Sequence, residues 1–216
     1  MANRNHVLVT GEYYHIYNRG NSKQDIFLDT QDYVVFQQFL YLMNMEKRII
    51  IREVGQSAYS YKREEPLVSI GTYCCMPNHI HILLKQEKEN GITKFMQKLS
   101  TAYVMYFNKK YRRTGGLFEG TFKSKWVGGD AYLKYLYSYI HLNPAKLQNS
   151  SWKEDLKIGK KIDSSYVLSY SFSSILDYLD VIRNENTILN KSAFPSYFSI
   201  REDFLKEMMS WFKAGP

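Results

Sequence analysis

The stretch Met76-Pro77-Asn78-His79-Ile80-His81-Ile82-Leu83-Leu84 constrains this chain more than any other. Side chains alternate across a β-strand, so His79, His81, Leu83 and Lys85 share one face while Ile80, Ile82 and Leu84 share the other. A strand patterned this way belongs in a sheet that buries its isoleucines and carries two imidazoles on the opposite side. Neutral imidazoles about 6 to 7 Å apart along a strand can take adjacent positions on one divalent cation. Two histidines on an open strand face are equally ordinary solvated residues. The pair is therefore half of a metal site, which the rest of the chain must complete.

The surrounding pattern predicts the sheet. Residues 7–19 are rich in β-branched and aromatic side chains and end at Gly20-Asn21, which reads as a first strand and turn. Residues 30–47 read as a helix capped by Asp29 or Thr30, with Tyr33, Phe36, Phe39, Leu40 and Met43 on one buried stripe. Residues 52–65 lose periodicity and form a long exposed loop or hairpin closed by Pro66. Strands at 67–76 and 79–86 are joined by the tight turn Pro77-Asn78. A second helix covers 91–112, a fourth strand 117–127, and a third helix runs from Asp130 to about His141, before Pro144.

The order β-α-β-β-α-β followed by a helix describes an α+β fold. Its centre is a ferredoxin-like split β-α-β antiparallel sheet, with helices on one face and the other left for function. Residues 1–148 form the predicted catalytic domain. Residues 149–216 form a mostly helical extension, with weaker helical patterns at 172–182 and 200–213, that packs on the core or stays apart from it.

At 216 residues, 29 Lys plus Arg outnumber 21 Asp plus Glu, and the resulting net charge of +8 favours a polyanionic partner. Nucleic acid comes first and an acidic membrane surface second. The 19 Tyr suit both a packed core and base stacking. Cys74 and Cys75 are the only cysteines, adjacent and without a C-x-x-C partner, which excludes a disulfide framework or a zinc cluster and fits a reducing compartment. No apolar window reaches the length of a membrane span and no signal peptide is evident, so a cytoplasmic protein without membrane association is expected.

The third helix supplies the missing chemistry. Tyr139 and Asn143 stand four residues apart on one helix face. If that face covers His79 and His81, Asn143 offers an oxygen ligand and Tyr139 a phenol beside the cation. A mixed nitrogen and oxygen set suits Mg²⁺ or Mn²⁺. A phenol next to a phosphate-binding cation is a plausible nucleophile whose product would be a phosphotyrosine linkage, needing no nucleotide cofactor. The plainer reading is that Tyr132, Tyr135, Tyr137 and Tyr139 serve packing, the usual fate of helical tyrosines.

Four segments in this order resemble the single-tyrosine HUH transposases of insertion sequences, and within them the branch associated with repetitive extragenic palindromes (REP) in bacteria. They are Tyr14-His15-Ile16-Tyr17-Asn18-Arg19-Gly20-Asn21, Cys75-Met76-Pro77-Asn78-His79-Ile80-His81, Leu117-Phe118-Glu119-Gly120-Thr121-Phe122-Lys123-Ser124 and Tyr139-Ile140-His141-Leu142-Asn143-Pro144. The resemblance implies binding of single-stranded, hairpin-forming DNA and cutting through a 5′-phosphotyrosine that leaves a free 3′-OH. It also implies that His79 and His81 are metal ligands, Tyr139 the nucleophile and Asn143 the third ligand, where many relatives carry Gln. His15, Asn18 and Arg19 would contact substrate or support the ligands. Such proteins act in the bacterial cytoplasm at the nucleoid, some as monomers and some as homodimers whose tyrosine helix serves the partner's site. The match weakens beyond residue 150, although Tyr170-Ser171-Phe172-Ser173-Ser174 is similar to a downstream segment.

Charge suggests further DNA contacts at Lys94, Lys98, Lys109, Lys110, Arg112 and Arg113 on the second helix and its exit. Lys123 and Lys125 share one face of the fourth strand, expected to be the wet one, and Trp126 is expected in the core. The alternatives are a domesticated, non-cleaving DNA-binding protein of the same fold and a metal-dependent nuclease acting by water. RNA is not excluded by the residues, but the resemblance points to DNA.

Overall fold

Residues 7–51, 54, 57–158, 160, 163–198 and 200–214 are described by the computed structural model. Strands β1 (Tyr13–Arg19), β2 (Val68–Met76), β3 (His79–Gln86) and β4 (Lys123–Trp126) form an antiparallel sheet in the order β2-β3-β1-β4. That is the split β-α-β arrangement expected from the sequence.

Helices α1 (Thr30–Leu42) and α2 (Gly91–Lys110) cover one face, where Phe36, Leu40, Phe95, Leu99 and Tyr103 pack on Ile16, Ile80, Ile82 and Leu84. Helix α3 (Asp130–His141) lies on the opposite face, its Leu133, Leu136, Tyr137 and Ile140 meeting Cys74, Met76 and Leu83. The histidine face is thus partly roofed, because α3 is amphipathic and its apolar stripe needs the sheet.

Local chemistry explains where elements begin and end. Asp29 and Asp32 cap α1 reciprocally, Asp29 accepting from the Asp32 amide at 3.1 Å and Asp32 from the Asp29 amide at 3.3 Å. The helix stops at Leu42 rather than 47 because Asn44 turns inward to bond the start of β2, its Oδ1 accepting from Leu67 and Val68 amides and its Nδ2 donating to Val68. Strand β1 starts at Tyr13 rather than 7, after a turn in which the Glu12 amide donates to Val9.

The strand expected over 117–127 is only Lys123–Trp126. Residues 117–120 instead fold across the end of β1, where Asn21 donates to the Leu117 carbonyl and Glu119 to that of Arg19, each at 2.9 Å. Gly20 bridges to Phe118 there, and a Cβ on Gly20 would lie 2.1 Å from the Gln24 carbonyl oxygen, so no other residue fits.

A short helix α4 (Ala145–Gln148) follows α3, and the extension adds α5 (Trp152–Lys157), α6 (Ser165–Leu168), α7 (Ile175–Tyr178) and α8 (Arg201–Ala214). Of the helices expected there, 200–213 is α8, whereas 172–182 shrinks to α7. The reason is that residues 172–174 run beside β2, Phe172 accepting from Cys75 at 2.9 Å and Ser174 donating to Tyr73 at 3.0 Å. Asp180, at φ 56°, then ends the segment. Leu142 and Ala145 join Trp152, Val167, Ile175, Phe204 and Met208 in a further core, so the described part of the extension packs on the sheet and on the end of α3. Residues 52, 53, 55 and 56 of the predicted 52–65 loop lie outside the described residues. Tyr59, Tyr61 and Arg63 of that loop pack on Tyr41 of α1, on the side away from the histidines. Both cysteines are free and buried, and among the described residues no helix is long and apolar enough to cross a membrane.

Candidate functional site

Strand register assembles the site. Arg19 stands opposite His79, Tyr17 opposite His81 and His15 opposite Leu83, while β4 sets Lys123 beside Tyr17 and Lys125 beside His15. Alternation then puts His15, Tyr17, His79, His81, Lys123 and Lys125 on one face. A cleft of ≈ 380 Å³ opens there, lined by Tyr17, Asn18, Arg19, Asn78, His79, His81, Glu119, Lys123 and Lys146.

Both histidines are held by their Nδ1 atoms. His79 Nδ1 lies 2.6 Å from Asn78 Oδ1, and Asn78 is itself fixed by donating to the Lys23 carbonyl at 3.2 Å. His81 Nδ1 lies 2.9 Å from His15 Nε2, with the two rings stacked 5.0 Å apart. Neither His79 nor His81 has a hydrogen bond at Nε2 among the described residues. Burial, reinforced by Lys146 and Arg19, lowers the His79 pKa to about 4, and burial with Lys125 does the same for His15. His81 is pushed well below its ordinary value by burial, His15 and His79. All three imidazoles are neutral at physiological pH, the form that ligates metals.

Helix α3 brings Tyr139 to this cluster from the same chain. Its ring sits edge-on to His81 and to His15, 5.7 Å from each. Burial, then the neighbouring Tyr132 and Tyr17, raise its phenol above the usual value. Tyr137 is 2 % exposed and belongs to the core, whereas Tyr132, Tyr135 and Tyr139 line a second cavity with His15, Tyr17, His81, Lys125 and Leu136. Lys125 sits 4.5 Å above the Tyr132 ring there.

Asn143 is buried just past α3, its Nδ2 donating to the Tyr139 carbonyl at 2.9 Å, with no hydrogen bond to its Oδ1 among the described residues. It lines a third cavity, beyond Tyr139, and not the His79–His81 cleft. Among the described residues no three His, Cys, Asp or Glu side chains are grouped to hold a metal ion, so any cation here needs an amide or water oxygen beside the two imidazoles.

The remaining predicted contacts divide. Asn18 and Arg19 line the cleft and also anchor the 117–120 loop: Asn18 donates to the Gly120 carbonyl at 3.2 Å and Arg19 Nε to Glu119 at 3.0 Å. Lys123 and Lys125 are exposed on the histidine face. The α2 cations are not brought to the site, because α2 covers the other side of the sheet. Lys94 pairs with Glu46, Lys110 with Asp29 and Asp32, and Lys98 donates to the carbonyls of Met45 and Lys47. Lys109 and Arg112 lie at the end of that helix, and Arg113 donates to Gln24. Trp126, expected in the core, is 51 % exposed and donates to Glu12, because β4 is an edge strand with an open flank.

Asn78, Tyr17 and Lys146 were not singled out as site residues from sequence. Asn78 stands inside the quoted histidine motif and Tyr17 alternates with His15 and Arg19, so both carried a signal. Lys146 carried none, because its place follows from the turn after Pro144.

Residues 9–143 match the sequence model of a family described as IS200-like transposases. Among solved structures, the fold is similar to that of a REP-associated tyrosine transposase bound to a REP hairpin, with a TM-score of 0.50 and 13 % identity over 86 % of this chain and 90 % of that one. No curated protein matches the chain.

Proposed function

Because this chain belongs to the IS200-like transposase family, we propose that it binds hairpin-forming single-stranded DNA, cuts it with Tyr139 in a divalent-metal-dependent reaction, and rejoins it. The observation that carries this reading is the position of the Tyr139 ring, 5.7 Å from His81, beside two imidazoles whose Nε2 atoms remain unbonded among the described residues.

The donor set fits a divalent cation. Asn78 Oδ1 can only accept, so His79 carries its proton on Nδ1 and offers the Nε2 lone pair. The same tautomer at His81 makes His15 Nε2 the acceptor. Asn143 lines the adjoining cavity and not the cleft, so it would complete a mixed nitrogen and oxygen set, which suits Mg²⁺ or Mn²⁺, only by turning its Oδ1 toward the histidines; otherwise water supplies the oxygen. A cation bound there would polarise the scissile phosphate and favour the phenolate of Tyr139.

The chain's own groups do the rest. With its phenol pKa raised, Tyr139 rests protonated and unreactive until substrate and cation are in place. In the cut, a bond forms between Tyr139 Oη and phosphorus while the bond from phosphorus to the 3′ oxygen breaks. The phenolic proton passes to solvent in the cleft, and the 3′ oxygen leaves as a hydroxyl. The 5′ phosphate stays on Tyr139, so attack by another 3′-OH rejoins the strand without a nucleotide cofactor. Lys123, Lys125 and Lys146 surround the centre with positive charge for phosphates, and Tyr17, Tyr132 and Tyr135 offer ring faces and edges to bases. One chain carries the histidines and the tyrosine together, which supports action as a monomer. The hairpin substrate is proposed from the solved neighbour, which is bound to one.

Peptide mass mapping after reaction with hairpin DNA and Mn²⁺ tests the reading. The nucleotide mass is expected on the peptide containing Tyr139. Cut DNA with no modified peptide would mean hydrolysis by water.

A further inference from the structure

The third cavity, on the side of Tyr139 away from Tyr17, lies where the end of α3 and the turn after it meet the extension. Tyr135, Tyr139, Leu142 and Asn143 line one side of it, and Lys146, Trp152, Lys153 and Trp211, all four beyond the family match at residues 9–143, line the other. Its interior has room only for a water-sized group, which suits a phosphate oxygen and is too small for a base.

Three features give it a chemical preference. Trp152 is 1 % exposed, and its indole Nε1 is a buried donor with no acceptor among the described residues. Such a donor is costly unless an acceptor reaches it. Lys146 and Lys153 form no ion pair among the described residues. Burial and the charge of Lys146 both act against the Lys153 ammonium, so two like charges are held together facing one opening. An anion with acceptor oxygens answers all three.

Position says which anion. Lys146 lines both this cavity and the His79–His81 cleft, and Tyr139 borders it. Resting on the reading of Tyr139 as the cutting residue, we propose that Lys146 of α4, with Lys153 and the Trp152 N–H of the extension, forms a phosphate-binding subsite, which holds the backbone phosphate next to the one being cut.

The test measures affinity against salt concentration for a DNA hairpin with single-stranded flanks, using the full chain, Lys153→Gln and Lys153→Arg. Neutralising one phosphate contact on a single strand removes roughly 0.7 from the slope of log K against log salt. Lys153→Gln is expected to show that loss and Lys153→Arg to keep the wild-type slope. A methylphosphonate walk along the flanks is expected to find one position that weakens wild type but not Lys153→Gln. Trp152→Phe, checked for folding by circular dichroism, is expected to lose affinity at the same position. An unchanged slope in Lys153→Gln, or no such position, overturns the subsite. Absence of a Tyr139 adduct alongside the slope difference would instead overturn the cutting reading and leave the subsite standing.

Discussion

Tyr137 and Tyr139 are two residues apart on one helix, yet one is core and the other borders the histidines. Tyr137→Phe is therefore expected to keep covalent capture of DNA and to cost about 0.5–1.5 kcal/mol of stability through its lost hydroxyl contact, readable in a denaturant titration. The histidines make a pH prediction. His15 and His79 titrate near 4 in the fold and His141, fully buried, near 3, against an ordinary value of 6.5. The unfolded chain therefore takes up protons first as pH falls, so stability is full above about pH 6.5 and declines progressively toward pH 4. Thermal melts between pH 8 and pH 4 check this, and a flat profile would contradict it. At this scale the sequence was most legible on strands, where alternation put His79 with His81 and Lys123 with Lys125, and the pairing of both strands with β1 then set the two pairs on a common face. It was least legible at Asn143 and Trp126. The spacing of Asn143 from Tyr139 did not reveal that its amide nitrogen bonds the helix, and no pattern in 123–126 marks an edge strand.

The elements that frame the site are set by short-range chemistry with long-range consequences. Asp32, fully buried, caps α1, accepts from the Leu28 amide and binds Lys110, Tyr106 and Tyr111 of α2 and its exit. Asp32→Ala is expected to destabilise the fold by about 1–2 kcal/mol, the size of a lost helix cap, while leaving affinity for DNA unchanged. A fall in affinity at constant stability would mean that this side of the sheet does contact DNA. The cap was readable from Asp29 and the helical period. The shortening of β4 was not, because the alternating residues 117–122 are used to lash a loop to the end of β1 through Arg19 and Glu119. The extended stretch 172–174 was missed for a related reason: its partner strand, β2, lies about a hundred residues away in sequence, and local periodicity carries no information about it.

For the whole molecule, the net charge of +8 is divided by the sheet. Two lysines of α2, Lys94 and Lys110, pair with carboxylates, whereas Lys123, Lys125, Lys146 and Lys153 face the cleft and cavities around Tyr139. The extension is part of this arrangement, since it completes one core around Leu142 and adds a segment beside β2. Truncation after Gln148 is accordingly expected to lower the thermal midpoint strongly, and an unchanged midpoint would show the extension to be dispensable for folding. The most direct test of Tyr139 as nucleophile is a denaturing gel of labelled hairpin DNA incubated with wild type or Tyr139→Phe, in Mn²⁺ or with EDTA. A protein–DNA adduct that needs the metal and disappears in Tyr139→Phe is the predicted result. An adduct that survives in Tyr139→Phe, or cleaved DNA without any adduct, would contradict it.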